Sequence, residues 1–345
     1  MHMADALISP AVGGAAWAAT AGLIGYSSRK VRRDLDDQRI PLMGVMGAFV
    51  FAAQMVNFTI PATGSSGHLG GGLILAILLG PHAGFLTLAS VLMIQALFFA
   101  DGGLLALGCN IFNLGFFPCF VAYPLIYRKT GGKHRGRWSI ITASLAAAIV
   151  SLQLGSLGVV LQTRLSGISE LPLGTFLLFM QPIHLAIGVI EGLATASVLL
   201  FVLKARPEIL RVQDPGRDDR PVPLRGLAAV FIAAAVTLGA GAAWLASKHP
   251  DGLEWSVTRT SGHEELEEGD DIIRRSAKDI QSNTAIFPEY GFKSQEVQGP
   301  PGGRLPSGLS SDNVATALSG LIGGLLTLLF AGGAGFFLKR RRSGP

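Results

Sequence analysis

The sequence predicts an all-α fold, a polytopic bundle of transmembrane helices. Of its 345 residues, 49% are hydrophobic and only 15% are charged, whereas soluble domains usually carry about 25% charged residues. The apolar residues are gathered into long runs, and one membrane crossing needs a run of about 20 residues. The 45 glycines agree with this prediction, because small residues let membrane helices approach closely.

Nine apolar runs are predicted to cross the membrane, seven in a first unit and two in a second. They cover about residues 9–26, 41–60, 69–79, 85–100, 104–127, 138–161, 173–203, 226–246 and 314–338. The third run is short for a full crossing and glycines surround it, which predicts a helix that is broken or packed inside the bundle.

The two units are predicted at residues 1–206 and 225–345, joined by a linker at 207–224 that is rich in Arg, Asp and Pro. Within the second unit, the hydrophilic segment 247–313 mixes charges of both signs and is expected outside the cytoplasm. Such a composition is typical of a loosely ordered region or of a loop that docks a partner.

Basic residues predict the orientation in the membrane. They cluster at about residues 29–39, 128–137, 204–220 and 339–342. With the N-terminus extracytoplasmic, every cluster and the C-terminus fall on the cytoplasmic side, as the positive-inside rule requires. We therefore predict a multi-pass protein of the inner or plasma membrane. Because each cluster flanks an apolar run, we expect the lipid bilayer and no nucleic acid as its partner.

Motifs of soluble enzymes are absent from the sequence. There is no G-x-x-x-x-G-K-[ST] phosphate loop, no H-E-x-x-H and no C-x-x-C, so neither ATP hydrolysis nor zinc proteolysis of those types is expected. Cys109 and Cys119 would lie about 15 Å apart on one helix, too far for a disulfide. The sequence thus favours a protein that is not an enzyme.

Met1 and His2 form the most informative feature. The first basic residue after the apolar run is Arg29, so no cleavable signal peptide is expected and the Met1 amine is expected to be free. That amine, the deprotonated amide nitrogen of His2 and its imidazole Nδ1 can chelate one ion in a five-membered and a six-membered ring. Nitrogens in one plane favour a square-planar ion such as Ni(II) or Cu(II).

His68 is the candidate for the fourth ligand. It follows a Gly- and Ser-rich stretch at the predicted outer mouth of the third run, on the same side as the N-terminus, and the glycines permit a close backbone approach. Taken singly, a His at position two arises by chance in some chains, and His68 could be an interfacial or capping residue. Their occurrence on one predicted face favours a metal site.

Further polar residues are predicted to support the ligands or to join helices. Those expected to support the ligands are Asp5, Asn57, Ser66, Gln95 and Asp101. His184 and Glu191 are two turns apart on one helix and are expected to face a common interior, where either could support a ligand. Ionisable residues at membrane depth are often functional, whereas amides such as Gln54 and Gln181 often hold helices together.

Several blocks, in order along the chain, resemble the CbiM/NikM family. They are Met1-His2, residues 48–58, residues 63–72 with a central Ser-Gly-His-Leu-Gly-Gly, residues 101–113 and residues 184–191. Pro250-Asp251-Gly252-Leu253-Glu254 resembles the small NikN/CbiN-type accessory protein, here fused to the first unit. The opening Met1-His2-Met3-Ala4-Asp5-Ala6 departs from the family's usual Met-His-Ile-Pro-Asp-Gly but keeps every proposed ligand.

The resemblance implies a seven-helix substrate-binding (S) component of an energy-coupling-factor transporter, fused to a two-helix unit. It implies Ni2+ or Co2+ as the transported substrate, with Met1, His2 and His68 as ligands. It also implies a transmembrane coupling (T) subunit and two ATPase (A) subunits as partners, which fits the missing phosphate loop.

Two points stay open at this stage. Nickel is favoured over cobalt because a plane of four nitrogens suits Ni(II), but the same donors would take Co(II). The alternatives to a transporter subunit are a structural membrane protein with incidental histidines and a membrane metalloenzyme. The metalloenzyme would need an open coordination position and a general base beside the metal.

Overall fold

The protein, seen in a computed structural model, is built almost entirely from helices. The structure describes residues 1–34, 40–131, 136–205, 225–263, 266, 269–293 and 311–340. The predicted linker at 207–224 lies outside the described residues, as does part of the hydrophilic segment 247–313. The all-α membrane fold predicted from the sequence is confirmed.

The helices fall into the two predicted groups. The first unit contains α1 (Pro10–Asp34), α2 (Ile40–Gln54), α3 (Gly72–Leu79), α4 (Pro81–Phe99), α5 (Leu107–Gly131), α6 (Arg137–Ser166) and α7 (Leu173–Ala205). The second contains α8 (Arg225–Ala240), α9 (Gly252–Ser261), α10 (Ile272–Thr284) and α11 (Ser311–Arg340). Two short strands, β1 (Phe58–Ile60) and β2 (Ser65–Gly67), pair antiparallel between α2 and α3.

Five helices in the described part of the chain are long and apolar enough to cross a membrane, namely α4, α5, α6, α7 and α11. The apolar helices α2 and α8 are shorter, with 15 and 16 residues. α3 has only 8 residues, as the sequence predicts, because Gly71 and Gly80 bound it with φ of 75° and 88°, where residues with a Cβ are disfavoured. The number of nine crossings stays a prediction.

α7 shows how the bundle faces its surroundings. Leu178, Leu185 and Leu193 are 67%, 46% and 48% exposed, whereas His184 and Glu191 on the opposite face are 1% and 3% exposed. This arrangement of apolar groups outside and ionisable groups inside is the reverse of a soluble surface helix. The leucines are suited to the hydrocarbon of a bilayer, and the two ionisable residues face the interior as predicted.

α2 is the central helix, and every residue from Leu42 to Gln54 is buried. It packs against α4 of its own unit and against α8 and α11 of the second unit. A Cβ on Gly44 would lie 2.5 Å from the Leu328 carbonyl oxygen, so only glycine allows this approach. Small residues thus bring the second unit against the first.

α5 is unusual because residues Phe112–Tyr127 form a π-helix that contains Pro118 and Pro124. Proline lacks the N–H of the regular helical ladder, and wider turns are found where that ladder is interrupted. Cys109 and Cys119 on this helix are buried and free, as the sequence predicts.

The N-terminal segment and the basic helix ends lie at opposite ends of the bundle. α1 begins at Pro10, next to that segment, and Arg32 in its last turn is about 33 Å further along the helix axis at 1.5 Å per residue. Lys204 and Lys339 likewise occupy the last turns of α7 and α11. These basic ends share one side of the bundle, and its assignment to the cytoplasm stays a prediction.

The described part of the hydrophilic segment forms helices over the N-terminal end of the bundle. The Asp251 side chain accepts hydrogen bonds at the start of α9 in a capping box with Glu254, and Asp271 caps α10. Such caps stabilise short helices because they satisfy amide groups that lack a partner in the helix. The side chain of Gln281 on α10 donates to the Ala96 carbonyl oxygen. These residues therefore form capped helices instead of a loosely ordered region.

Gly320→Ala should destabilise the second unit. A Cβ on Gly320 of α11 would lie 2.4 Å from the Gly239 carbonyl oxygen of α8, so the two helices must separate, at a cost of about 1–3 kcal/mol. Thermal unfolding in detergent would measure the change. Gly333→Ala on the same helix is the matched control, because nothing lies within 4 Å of that Cβ. Equal melting temperatures for both variants would contradict this packing.

Candidate metal centre

The N-terminal segment is pinned into the bundle. The Met3 N–H donates to Asn110 Oδ1 at 2.8 Å, and the Gly103 N–H donates to the Met3 carbonyl oxygen at 2.9 Å. Met1 is 5% exposed and Met3 is fully buried. The chain terminus is therefore held as part of the core, which brings its amine to a fixed place.

The three predicted ligands converge. The Met1 nitrogen lies 3.3 Å from His68 Nε2, and the rings of His2 and His68 are stacked with 5.1 Å between their centroids. His68 Nδ1 donates to the Leu69 carbonyl oxygen at 3.1 Å. This bond fixes the tautomer and leaves the Nε2 lone pair facing the Met1 amine, the arrangement usual for a metal-ligating histidine.

Two carboxylates contact these nitrogens. Asp251 Oδ2 lies 2.8 Å from the Met1 amine and 3.9 Å from His68 Nε2, and Asp101 Oδ1 lies 2.7 Å from His2 Nδ1. The Tyr290 hydroxyl donates to the other oxygen of Asp101 at 2.5 Å. Both nitrogens that would close the chelate rings are thus hydrogen-bonded to carboxylates in this arrangement.

The charges at this site follow from burial and from these contacts. Burial, followed by the charge of the N-terminus, lowers the pKa of His68 to about 3, so its imidazole is neutral at physiological pH. Burial alone would raise the pKa of Asp251, but the N-terminal ammonium and His68 outweigh it and bring that pKa well below its usual range. In the same way, His2 and Tyr290 lower the pKa of Asp101 to about 2. Both carboxylates are therefore charged.

The residues predicted to support the ligands are spread over three roles. Among the described residues, Asp101 is the one of the five that hydrogen-bonds to a predicted ligand. Asp5 is buried and accepts from the Ala106 N–H at 2.9 Å, which holds the N-terminal segment. Gln95 donates to Gln54 Oε1 at 2.9 Å.

Asn57 and Ser66 contact the second unit instead of the ligands. The Asn57 carbonyl oxygen accepts from the Ser247 N–H at 2.8 Å. The Ser66 hydroxyl donates to the His249 carbonyl oxygen at 2.8 Å, and its N–H donates to the Pro250 carbonyl oxygen at 2.8 Å. Their place is therefore the joint between the two units.

The Pro-Asp-Gly-Leu-Glu motif docks the second unit onto the site. Asp251 binds the Met1 amine through one oxygen and caps α9 through the other. A Cβ on Gly252 would lie 2.4 Å from Ile183 on α7, so glycine lets α9 lie directly against that helix. Leu253 is buried, with 2% exposure. The motif as a whole serves contact with the first unit.

A small cavity of about 10 Å³ adjoins the converging ligands. Its lining includes Met1, His68, His184 and Asp251, and it has room for about one water-sized occupant. His184 Nδ1 donates to the Met180 carbonyl oxygen at 2.7 Å, while its buried Nε2 has no hydrogen-bond partner within the described part of the chain. The ring therefore turns an unused nitrogen towards the interior.

Side chains alone do not form a ready metal site. Among the described residues, no group of three His, Cys, Asp or Glu side chains has the spacing to hold an ion. A metal bound at this place must therefore take the Met1 amine, and the predicted set adds the amide nitrogen of His2. This requirement agrees with the chelate inferred from the sequence.

Two residues of the site have no signal in the sequence. Tyr290 reaches Asp101 from a backbone in the left-handed region, with φ of 61° after a φ of 50° at Glu289, a conformation that costs energy in residues other than glycine. Arg274 is buried and donates to the Ile8 carbonyl oxygen at 2.6 Å. Only contacts between residues far apart in the chain identify them.

The sequence matches two family models. Residues 2–209 match the model described as the CbiM cobalt uptake substrate-specific transmembrane region, and residues 225–340 match the PDGLE domain.

Relatives and solved structures agree with these matches. A fused nickel transport protein NikMN of Rhodobacter capsulatus is 32% identical, with 71% of this chain and 74% of that protein covered. A cobalt transport protein CbiM of Geobacter sulfurreducens is 31% identical, with 81% and 83% covered. The crystal structure of a truncated transition metal transporter is 29% identical, with a TM-score of 0.53, covering 59% of this chain and 99% of that one.

Asp251→Asn should loosen the second unit from the first. Asparagine keeps an oxygen to cap α9 but leaves the buried Met1 ammonium without its negative partner, which costs about 3–5 kcal/mol. A lower melting temperature of the metal-free protein in detergent is expected. Asp270→Asn is the control, because Asp270 and its partner Arg275 are 82% and 65% exposed and such pairs contribute little. An unchanged melting temperature for Asp251→Asn would contradict the role of this ion pair.

Proposed function

The chain belongs to the CbiM family, here fused to a PDGLE domain, and from that premise we propose that it is the metal-capturing subunit of an ATP-driven importer. Its relatives are nickel and cobalt transport proteins, and the chain is a multi-pass membrane protein of metal uptake. In our proposal it is the substrate-binding (S) component of an energy-coupling-factor transporter, and nickel is its preferred ion.

The observation that carries the proposal is the 3.3 Å approach of the Met1 amine to His68 Nε2. Two neighbouring ligands of one square-planar ion require a separation close to this. The amide nitrogen and Nδ1 of His2 would supply the other two positions. A plane of four nitrogens favours Ni(II) over Co(II), which is why we propose nickel.

Capture of the ion requires the two carboxylates to give up their nitrogens. His2 Nδ1 has to turn from Asp101, and the Met1 amine has to leave Asp251 and lose a proton before it can donate its lone pair to a metal. The metal-free arrangement therefore keeps the ligands close together but engaged with the carboxylates. An ion of sufficient affinity would displace both hydrogen bonds.

The remaining parts of the transporter belong to partner subunits. The sequence has no phosphate loop, so we propose a transmembrane coupling (T) subunit and two ATPase (A) subunits as the source of energy. The basic ends of α1, α7 and α11 would face the cytoplasm, where the ATPases lie. The metal site at the other end of the bundle would then face the extracytoplasmic side.

Nickel binding should be lost when one glycine is added before Met1. The extension moves the amine away and breaks the five-membered chelate ring. His68→Ala should weaken binding at least about tenfold, because one ligand is lost. A protease-cleaved tag that leaves a single glycine gives the extended protein, and intact mass verifies both N-termini.

Calorimetry and bound metal per protein are the measurements for this test. His263→Ala is the control, since His263 is exposed and far from Met1 along the fold of the second unit. If nickel stoichiometry is unchanged by both the extension and His68→Ala, the proposed site is wrong.

Nickel binding should also fail below about pH 5–6, because amine and imidazole nitrogens bind metal only after losing their protons. Burial and the N-terminal charge lower the pKa of His68 to about 3, so His68 stays neutral over this range. Loss of binding would therefore report protons on the other nitrogens, chiefly the Met1 amine. Bound nickel, measured at steps from about pH 8 to about pH 4, checks this expectation. Full binding at the acid end would count against nitrogen ligation.

A further inference from the structure

Glu191 is a buried carboxylate within the membrane-spanning helix α7. It is 3% exposed, and the roles proposed above for Met1, His2 and His68 do not use it. A charged group at this depth is costly, and such residues usually face a specific partner in the interior of the bundle. The partner here is backbone: the Gly70 N–H donates to Glu191 Oε2 at 2.8 Å, and the Gly71 N–H donates to Oε1 at 3.1 Å.

These two amides follow His68 directly in the chain. A Cβ on Gly70 would lie 3.0 Å from Glu191 Oε2, so glycine permits the close approach of backbone and carboxylate. Gly71 has a φ of 75°, and this left-handed conformation aims two successive N–H groups at one carboxylate, a local geometry that binds anions. The segment and the carboxylate therefore fit each other specifically.

The other side of the same segment is also held. Gln54 donates to the Gly70 carbonyl oxygen at 2.9 Å, and Gln95 donates to Gln54 at 2.9 Å. Before His68, the Ser66 N–H donates to the Pro250 carbonyl oxygen at 2.8 Å. His68 is therefore suspended between two anchors, one on the second unit and one on α7. The direction of its Nε2 depends on both anchors.

We infer that Glu191 is a positioning residue that aims His68 Nε2 at the Met1 amine by holding the two peptide groups that follow His68. The inference rests on the proposed function and adds to it a residue that contacts neither the ion nor its ligands. A carboxylate is required because both N–H groups need an acceptor. Glutamine would offer one oxygen and would turn an NH2 group towards the second N–H.

A double-mutant cycle tests this role. Nickel affinity, measured by calorimetry with Ni(II) alone, is compared for the wild type, Glu191→Gln, His68→Ala and the double variant. We expect Glu191→Gln to weaken binding roughly 10- to 100-fold in the wild type, as supporting residues of metal sites usually do. In the His68→Ala background it should have little further effect, because the residue it positions is gone.

A purely structural role gives a different result. If Glu191→Gln weakens binding by the same factor in both backgrounds, or has no effect in the wild type, the inference is overturned. If His68→Ala itself leaves affinity unchanged, the proposed metal site fails, which is a separate outcome. Thr195→Val, a buried polar residue one turn further along α7, is the matched control and should leave the affinity unchanged.

A second variant covers the case in which Glu191→Gln does not fold. Gln54→Met keeps the length of the side chain but removes the hydrogen bond to the Gly70 carbonyl oxygen, so it releases the same segment from its other side. We expect a smaller loss of nickel affinity that again disappears in the His68→Ala background. A loss that persists in that background would overturn the inference.

Discussion

The buried ion pair between the Met1 amine and Asp251 is the contact on which the arrangement of the site depends. A chain terminus usually frays, yet this amine lies 2.8 Å from a carboxylate 250 residues away. Asp251 is itself fixed, because its other oxygen caps α9. The first residue and the second unit therefore hold each other in place, and removal of either partner leaves a buried charge uncompensated.

The carboxylates that order the metal-free site also compete with an incoming ion. Asp101 and Asp251 keep His2 and Met1 within a few ångströms of His68, which reduces the entropy lost when an ion gathers its ligands. Each hydrogen bond must nevertheless break before the nitrogen can ligate. A site of this kind gains order at the expense of affinity, a balance that suits a protein that must later release its ion.

The sequence predicts those features that depend on local patterns. Apolar runs predict the helical membrane fold, helical spacing places His184 and Glu191 on the interior face, and Met1-His2 with His68 predicts the residues that converge. Contacts between distant segments have no such pattern, so the tie from Tyr290 to Asp101 could not be predicted. Asn57 and Ser66 were predicted to support the ligands, but they join the two units, because the β-hairpin that carries Ser66 meets a strand-like stretch of the second unit at Asp251.

The pinned amine has a consequence for how such proteins can be assembled from separate genes. A site built on the first nitrogen of a polypeptide tolerates no extension in front of it, since any added residue turns that amine into an ordinary peptide amide. A partner domain can then be joined only behind the capturing domain, never ahead of it. The order of the CbiM and PDGLE portions within one reading frame would follow from coordination chemistry.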